Sequence, residues 1–281
     1  MTSFAVSTLF LLLFTSVLTA QTNSLLIEDL TWTEVRDAIA AGKTTAIYYA
    51  ASTEQNGPGM ALGKHMFIAH YLAPKIAAQL GNALVYPTMP FAPTGDWGLT
   101  GPGVIDPAKK TNHMRFAGSV NLSEETFGAV AHDVALSAIS AGFKNVVLMC
   151  DHGGPAQSRL AKVADEMNKE WTPKGIHVYY IPDLYFKEKE VMEEYMKNHG
   201  LPVDLHAGTD DTSEVLYVDK MVNGESSKWI RPSKLINARE EDGNGVNGDQ
   251  TKATVELGKM FTDAKVSFAV TQIKQLIAAG K

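Results

Sequence analysis

Cys150 is the only cysteine among 281 residues, so no disulfide can form within the chain and its stability must come from a packed core. Beyond the N-terminus no apolar run approaches the roughly 20 residues that a membrane-spanning helix needs. Charge of one sign is never gathered into a block: 25 Lys and Arg are interspersed with 31 Asp and Glu, giving a net charge of −6. That pattern argues against a nucleic-acid-binding surface. There is no internal repeat and no low-complexity tract. A small neutral or polar substrate suits such a chain, with neither nucleic acid nor membrane as partner.

The first twenty residues lack any charged side chain and contain the run Leu9-Phe10-Leu11-Leu12-Leu13-Phe14, followed by smaller residues ending in Thr19-Ala20. This reads as a secretory signal peptide, although its start lacks Lys or Arg and Leu18 is large for the position three before the cut. Residues 1–20 are then removed, and residues 21–281 form one exported domain, periplasmic or secreted. At 45% hydrophobic and 20% charged, its composition is that of a globular protein.

Thr44 to Ala50 is β-rich and reads as a buried strand delivering Glu54 at its carboxyl end. Residues 64–80 show helical spacing in Phe67, Ile68, Leu72, Ile76 and Leu80, closed by Gly81-Asn82. Ala83 to Tyr86 is a short strand, and Ser123 caps a helix that runs to about Ala141 and stops at Gly142. Asn145 to Cys150 is a strand, 158–170 a helix, Ile176 to Ile181 a strand, and 251–279 a helical end with Gly258 as an internal blemish. Such alternation predicts α/β with a mainly parallel sheet. Residues 87–118, rich in Pro, Gly and Thr, form a long irregular segment of the kind that serves as a lid or interface.

Three polar loops fall where such sheets bind ligands, outside the carboxyl ends of strands: 54–65, 151–154 and 206–211. Glu54, His65, His152 and Asp211 offer two oxygen and two nitrogen donors, a set suited to zinc or a similar divalent ion. Singly, each is more often a surface or hydrogen-bonding residue; their co-location raises the metal reading. His206 is a candidate acid/base, since imidazole titrates near neutral pH, with a structural histidine as its bland alternative. Gly153 and Gly154 allow close approach to a ligand or simply turn into a helix, and Trp97 shapes a pocket or anchors packing. Cys150, at the end of an apolar strand, reads as an inert core thiol rather than a nucleophile. His70, His113, His132, His177 and His199 are assigned no chemistry.

The order of motifs resembles the creatininase (creatinine amidohydrolase) family from about residue 30 to the C-terminus. That family carries Glu-x-His-Gly-Pro-His-Leu-Pro followed by an Asp, then Gly-His-Gly-Gly-Asn, His-Ala-Gly-Glu-x-Glu-Thr-Ser and Gly-x-x-Gly-Asp. Here Glu54, Gly57 and Pro58 match the first motif and His152-Gly153-Gly154 the second. Phe116-Ala117-Gly118-Ser119 resembles a Pro-Gly-Thr turn of the family, and Ala141-Gly142-Phe143 precedes the strand as it does there. His206-Ala207-Gly208 with Asp211-Thr212-Ser213 matches the third motif, and Gly245-Val246-Asn247-Gly248-Asp249 the fourth.

The resemblance implies a three-layer α/β/α sandwich, a homo-oligomer and metal-dependent opening of a cyclic amide. The departures fall on ligand positions. Asn56 and Gly59 stand for histidines, His65 stands near the aspartate that bridges two ions, and Pro155 stands for the motif's Asn. The expectation is one divalent ion, zinc or manganese, rather than two, held by Glu54, His65, His152 and Asp211. His206 and Asp211 would be catalytic, and Asn56, Trp97, Gly153 and Gly154 would line the substrate. The rival expectation is a non-catalytic binding protein that has lost the two-metal chemistry.

Overall fold

A computed structural model describes residues 24–280 apart from 103 and 111; the expected signal peptide lies outside the described residues. In chain order the elements are α1 (Trp32–Ala40), β1 (Thr45–Ala50), α2 (Lys64–Leu80), β2 (Ala83–Val85), β3 (Leu99–Gly101), β4 (Val104–Ile105), α3 (Glu124–Ala141) and β5 (Asn145–Cys150). They continue with α4 (Pro155–Trp171), β6 (His177–Tyr180), α5 (Phe186–Asn198), α6 (Thr209–Asn223), β7 (Asn237–Ala238), β8 (Gly248–Asp249) and α7 (Val255–Ala279). Four strands form one parallel sheet in the order β2-β1-β5-β6. The pairs β3–β4 and β7–β8 are small and antiparallel.

The sheet is buried on both faces: after Thr45 and Asn145, β1 and β5 are runs of apolar and aromatic residues, all buried, rather than an alternation of apolar and polar ones. Ile47, Tyr49, Val147 and Met149 pack with α2, α6 and α7, while Ala46, Tyr48, Val146 and Leu148 pack with α3 and α4. This is the three-layer α/β/α arrangement that the family resemblance implies, on the mainly parallel sheet that the alternation of elements predicts. Each fully buried side chain of this size contributes about 1.5–3 kcal/mol relative to exposure, so both layers are needed to hold β1 and β5 in place.

The predicted ends of α2 and α3 are where capping chemistry puts them. Gly81 and Gly142 take left-handed conformations, φ 81° and 110°, and Ser123 accepts a hydrogen bond from the Thr126 amide. Helix α4 starts at Pro155, three residues before the predicted start, because proline suits the first helical position, where no amide is needed. The loop expected at 206–211 is cut short: Thr209 to Asp211 already form the first turn of α6. The sequence pattern does not predict α1, α5 or α6.

Gly258 is no blemish. A Cβ there would lie 1.8 Å from the Ser213 carbonyl oxygen, so this glycine lets α7 lie directly against α6. Gly258→Ala would gain about 1 kcal/mol of helix propensity, but overpacking against a backbone atom costs about 1–3 kcal/mol. We expect net destabilisation in urea unfolding; a more stable variant would mean that the two helices are not in contact at this point.

Candidate functional site

Strands β1 and β5 are neighbours, and the chain leaves one toward β2 and the other toward β6. This is the point where strand order reverses, and parallel sheets bind ligands beyond the carboxyl ends there. Ala50 pairs with Cys150 at those ends, so Glu54 follows one strand while Asp151 and His152 follow the other. The loop after β1 is fixed by its own backbone: the Glu54 amide donates to the Leu62 carbonyl at 2.9 Å, and Asn56 Nδ2 donates to the carbonyls of Glu54 and Ala61 at 2.9 and 3.0 Å.

Glu54, only 1% exposed, receives four histidines. Its Oε1 lies 3.0 Å from His65 Nε2 and 4.0 Å from His206 Nδ1; its Oε2 lies 2.8 Å from His152 Nε2 and 3.5 Å from His113 Nε2. Burial disfavours the carboxylate, yet His152 and His65 outweigh it and hold its pKa well below the usual range.

The other ring nitrogens fix what each imidazole offers. His65 Nδ1 is 2.9 Å from Asp151 Oδ2, and His152 Nδ1 is 3.0 Å from the Gly153 carbonyl, so both Nδ1 atoms are donors. In neutral rings both Nε2 lone pairs would then face Glu54, acceptor against acceptor; the His65 Nε2 contact to Glu54 Oε1 is a hydrogen bond when that ring carries a second proton, while Glu54 Oε2 has no hydrogen bond of good geometry. Only a second proton on each ring or a cation among them relieves that arrangement. Burial and Lys64 oppose protonation of His65, but Glu54 and Asp151 prevail and its pKa is raised. A carboxylate orienting a ligand histidine is also what supports metal binding.

His113 and His206 are wired differently. Gln55 Oε1 accepts from the Gly57 amide, so its Nε2 donates to His113 Nδ1 at 3.3 Å, leaving the His113 proton on Nε2, toward Glu54. His206 Nε2 donates to the Gln55 carbonyl at 2.9 Å, leaving Nδ1 as an acceptor. Burial lowers the pKa of His113 to about 3 and of His206 to about 4. Two sets of ligand atoms lie within 4.8 Å of one another among the described residues: Glu54, His65 and His152, and Glu54, His113 and His206. The proton facing Glu54 from His113 leaves the first as the better metal site.

Lys64, fully buried, places Nζ 2.7 Å from Asp211 Oδ2 and 3.6 Å from Glu54 Oε1. The same Asp211 oxygen accepts from the Ala207 amide at 2.7 Å. Ala207 has φ 54°, the one left-handed non-glycine among the described residues, at a cost of about 1–2 kcal/mol. Asp211 and the bridge between His206 and Asn247 hold it there, and so aim His206. Lys64 outweighs burial and keeps Asp211 ionised far below its ordinary pKa.

Behind His65, Asp151 accepts from Tyr49 and from Lys265, each at 3.1 Å, and Lys265 also donates to Glu214 Oε2 at 2.7 Å. A cavity of about 700 Å³ opens over these groups. Burial raises Glu214 to about 7 and Asp210 to about 8.

The structure thus brings Glu54, His65, His152 and His206 together, with Gly153, Gly154 and Trp97 lining the cavity. Asn56, expected to touch substrate, faces its own loop backbone instead. Asp211, expected as a ligand, is paired with Lys64, and its oxygens do not gather with the atoms of either ligand set. Cys150 is buried, and burial pushes its thiol pKa far up, so it is no nucleophile. Sequence reasoning missed His113, Lys64 and Lys265. The first lies in the irregular segment with no local signal, and the lysines are of a residue type that is almost always exposed.

Comparison with known proteins places the chain. The model of the creatininase family, described as creatinine amidohydrolase, matches residues 28–273. A solved creatinine amidohydrolase (creatininase) superposes with a TM-score of 0.69 at 18% identity, covering 90% of this chain and 98% of that one. A manganese creatininase gives the same figures. A mutant creatininase of the Zn-Zn type gives 0.69 at 16% identity, with the same coverage. At these identities the structural likeness shows the fold. No curated protein sequence matches.

The lowered pKa of His206 makes the metal-free fold acid-sensitive. An unfolded histidine titrates near 6.5, so the stabilisation is present above that value and is lost as pH falls toward about 4. Between pH 7 and pH 5 this histidine alone should account for about 2 kcal/mol. Urea unfolding of chelator-treated protein should show that loss, reduced in His206→Gln; an equal loss in the variant would exclude this origin.

Proposed function

The chain belongs to the creatininase family, and on that premise we propose that it is a metal-dependent hydrolase of a small cyclic or linear amide, using one divalent ion. The observation that supports the reading is the convergence of His65 Nε2, His152 Nε2 and both Glu54 oxygens, with the two histidine Nδ1 atoms turned away to Asp151 and the Gly153 carbonyl. Imidazole and carboxylate suit zinc and manganese alike. When bound, such an ion supplies Lewis acidity and water ionised at neutral pH.

The chain's own residues supply the rest. His206, neutral and with its Nδ1 lone pair facing the site, accepts the proton of the attacking water and passes it to the leaving nitrogen. His113 donates from Nε2 toward the carboxylate and the developing oxyanion. Lys64 and Asp211 carry fixed, mutually compensated charges that keep the 206–208 turn in place. Gly153 leaves room beside Tyr185, whose hydroxyl would be 2.6 Å from a Cβ there.

Metal analysis of the purified protein tests this. We expect about one equivalent of zinc or manganese per chain, lost in Glu54→Gln and His152→Ala but kept in Asn56→Ala and Asp211→Asn. Affinity should rise with pH through and above the ordinary histidine range, because His65, whose pKa is raised, must lose a proton to ligate. A protein that takes up no metal even when supplemented would instead be a binding member of the family.

We further take the protein to be exported and self-associating. The first twenty residues support export. The β3–β4 pair presents exposed Leu99, Val104 and Ile105, which supports association at that surface. Secretion should yield a chain starting at Gln21, and light scattering of it should give a multiple of the protomer mass. An intact Met1 in exported protein, or a monomer, would overturn the respective proposal.

A further inference from the structure

Glu188 and Glu214 take no part in the proposed chemistry, yet they are 5% and 3% exposed and both line the cavity. Each retains one carboxylate oxygen, Oε1, with no hydrogen-bond partner, and so does Asp210 through Oδ1. A buried carboxylate without partners is among the more costly arrangements a fold can hold. The nearest ammonium is already used: Lys265 Nζ is committed to Asp151 Oδ1 and Glu214 Oε2. One divalent ion at Glu54 would not supply a donor to Glu188 Oε1, Glu214 Oε1 or Asp210 Oδ1. These acids are also not spaced for a small ion, since both ligand sets that could hold one contain Glu54 and neither contains Glu188, Asp210 or Glu214.

From this we infer that the acid floor formed by Glu188, Glu214 and Asp210 binds the cationic end, ammonium or guanidinium, of the amide-bearing substrate. The inference rests on the amide-hydrolase reading for the other end of that molecule. An organic cation with several N–H donors fits because the unpartnered oxygens belong to separate side chains on α5 and α6, and charge-assisted hydrogen bonds to each are the strong kind. The cavity's size suits a small molecule reaching from this floor to Glu54. Burial also raises the pKa of Glu188 and Glu214, and a cation seated against them would favour their ionised form.

Isothermal calorimetry with three probes tests this: 4-guanidinobutanamide, 4-aminobutanamide and the neutral isostere 4-ureidobutanamide. We expect one or both cationic probes to bind about tenfold or more tightly than the ureido compound, and the stronger of the two identifies the group. The preference should fall to about threefold or less in Glu188→Gln and Glu214→Gln, with metal content unchanged. Both substitutions are isosteric and remove charge, so thermal unfolding should show them folded; if one fails, the other still reads the effect. His152→Ala should keep the preference while losing metal, so a failed metal reading and a failed floor are told apart. Equal binding of neutral and cationic probes, or a preference that survives both substitutions, would overturn the inference.

Discussion

A carboxylate buried to 1% exposure at the point where the sheet reverses its strand order is the constraint around which the molecule is organised. An isolated ionised carboxylate in such a place would neutralise itself by taking up a proton. Glu54 does not, because Lys64 and His65 from α2 and His152 from the turn after β5 lie against it. The β1 and β5 ends are adjacent for reasons of core packing alone, and that adjacency delivers the charges to one spot. The apolar strands and the polar centre are therefore one design seen from two sides.

Charge is then passed outward in pairs. His65 leans on Asp151, Asp151 on Lys265, and Lys265 on Glu214; in the other direction Lys64 leans on Asp211, and Asp211 on the backbone that aims His206. Two buried lysines thus act as permanent cations inside the fold. Lys64 in particular gives Asp211 a buried partner within the chain, and Asp211 lies outside both sets of ligand atoms that gather at Glu54.

What could be read from the sequence follows from where apolar residues show the pattern. Strands β1 and β5 and helices α2 and α3 were legible because their burial is apolar and their ends carry Ser or Gly caps. Helix α6 was not, because it buries Thr209, Thr212, Ser213 and Glu214, so its inward face reads as a polar loop. Helix α5 is a run of charges with Met192 and Met196 as its inward anchors. Of the site, the residues flanking strand ends were found and those supplied by distant segments were not: His113 and Lys265 reach the centre only through tertiary packing.

Lys265 lies on α7, the last helix of the chain, yet it neutralises Asp151 in the middle of the sheet. While the chain is being synthesised, the central strands are complete more than a hundred residues before that ammonium exists. Until then, closing the sheet would bury Asp151 without its lysine. The charge balance at the middle of the sheet is thus completed only by the last helix, so the centre depends on a contact of long sequence separation, the kind that forms slowly.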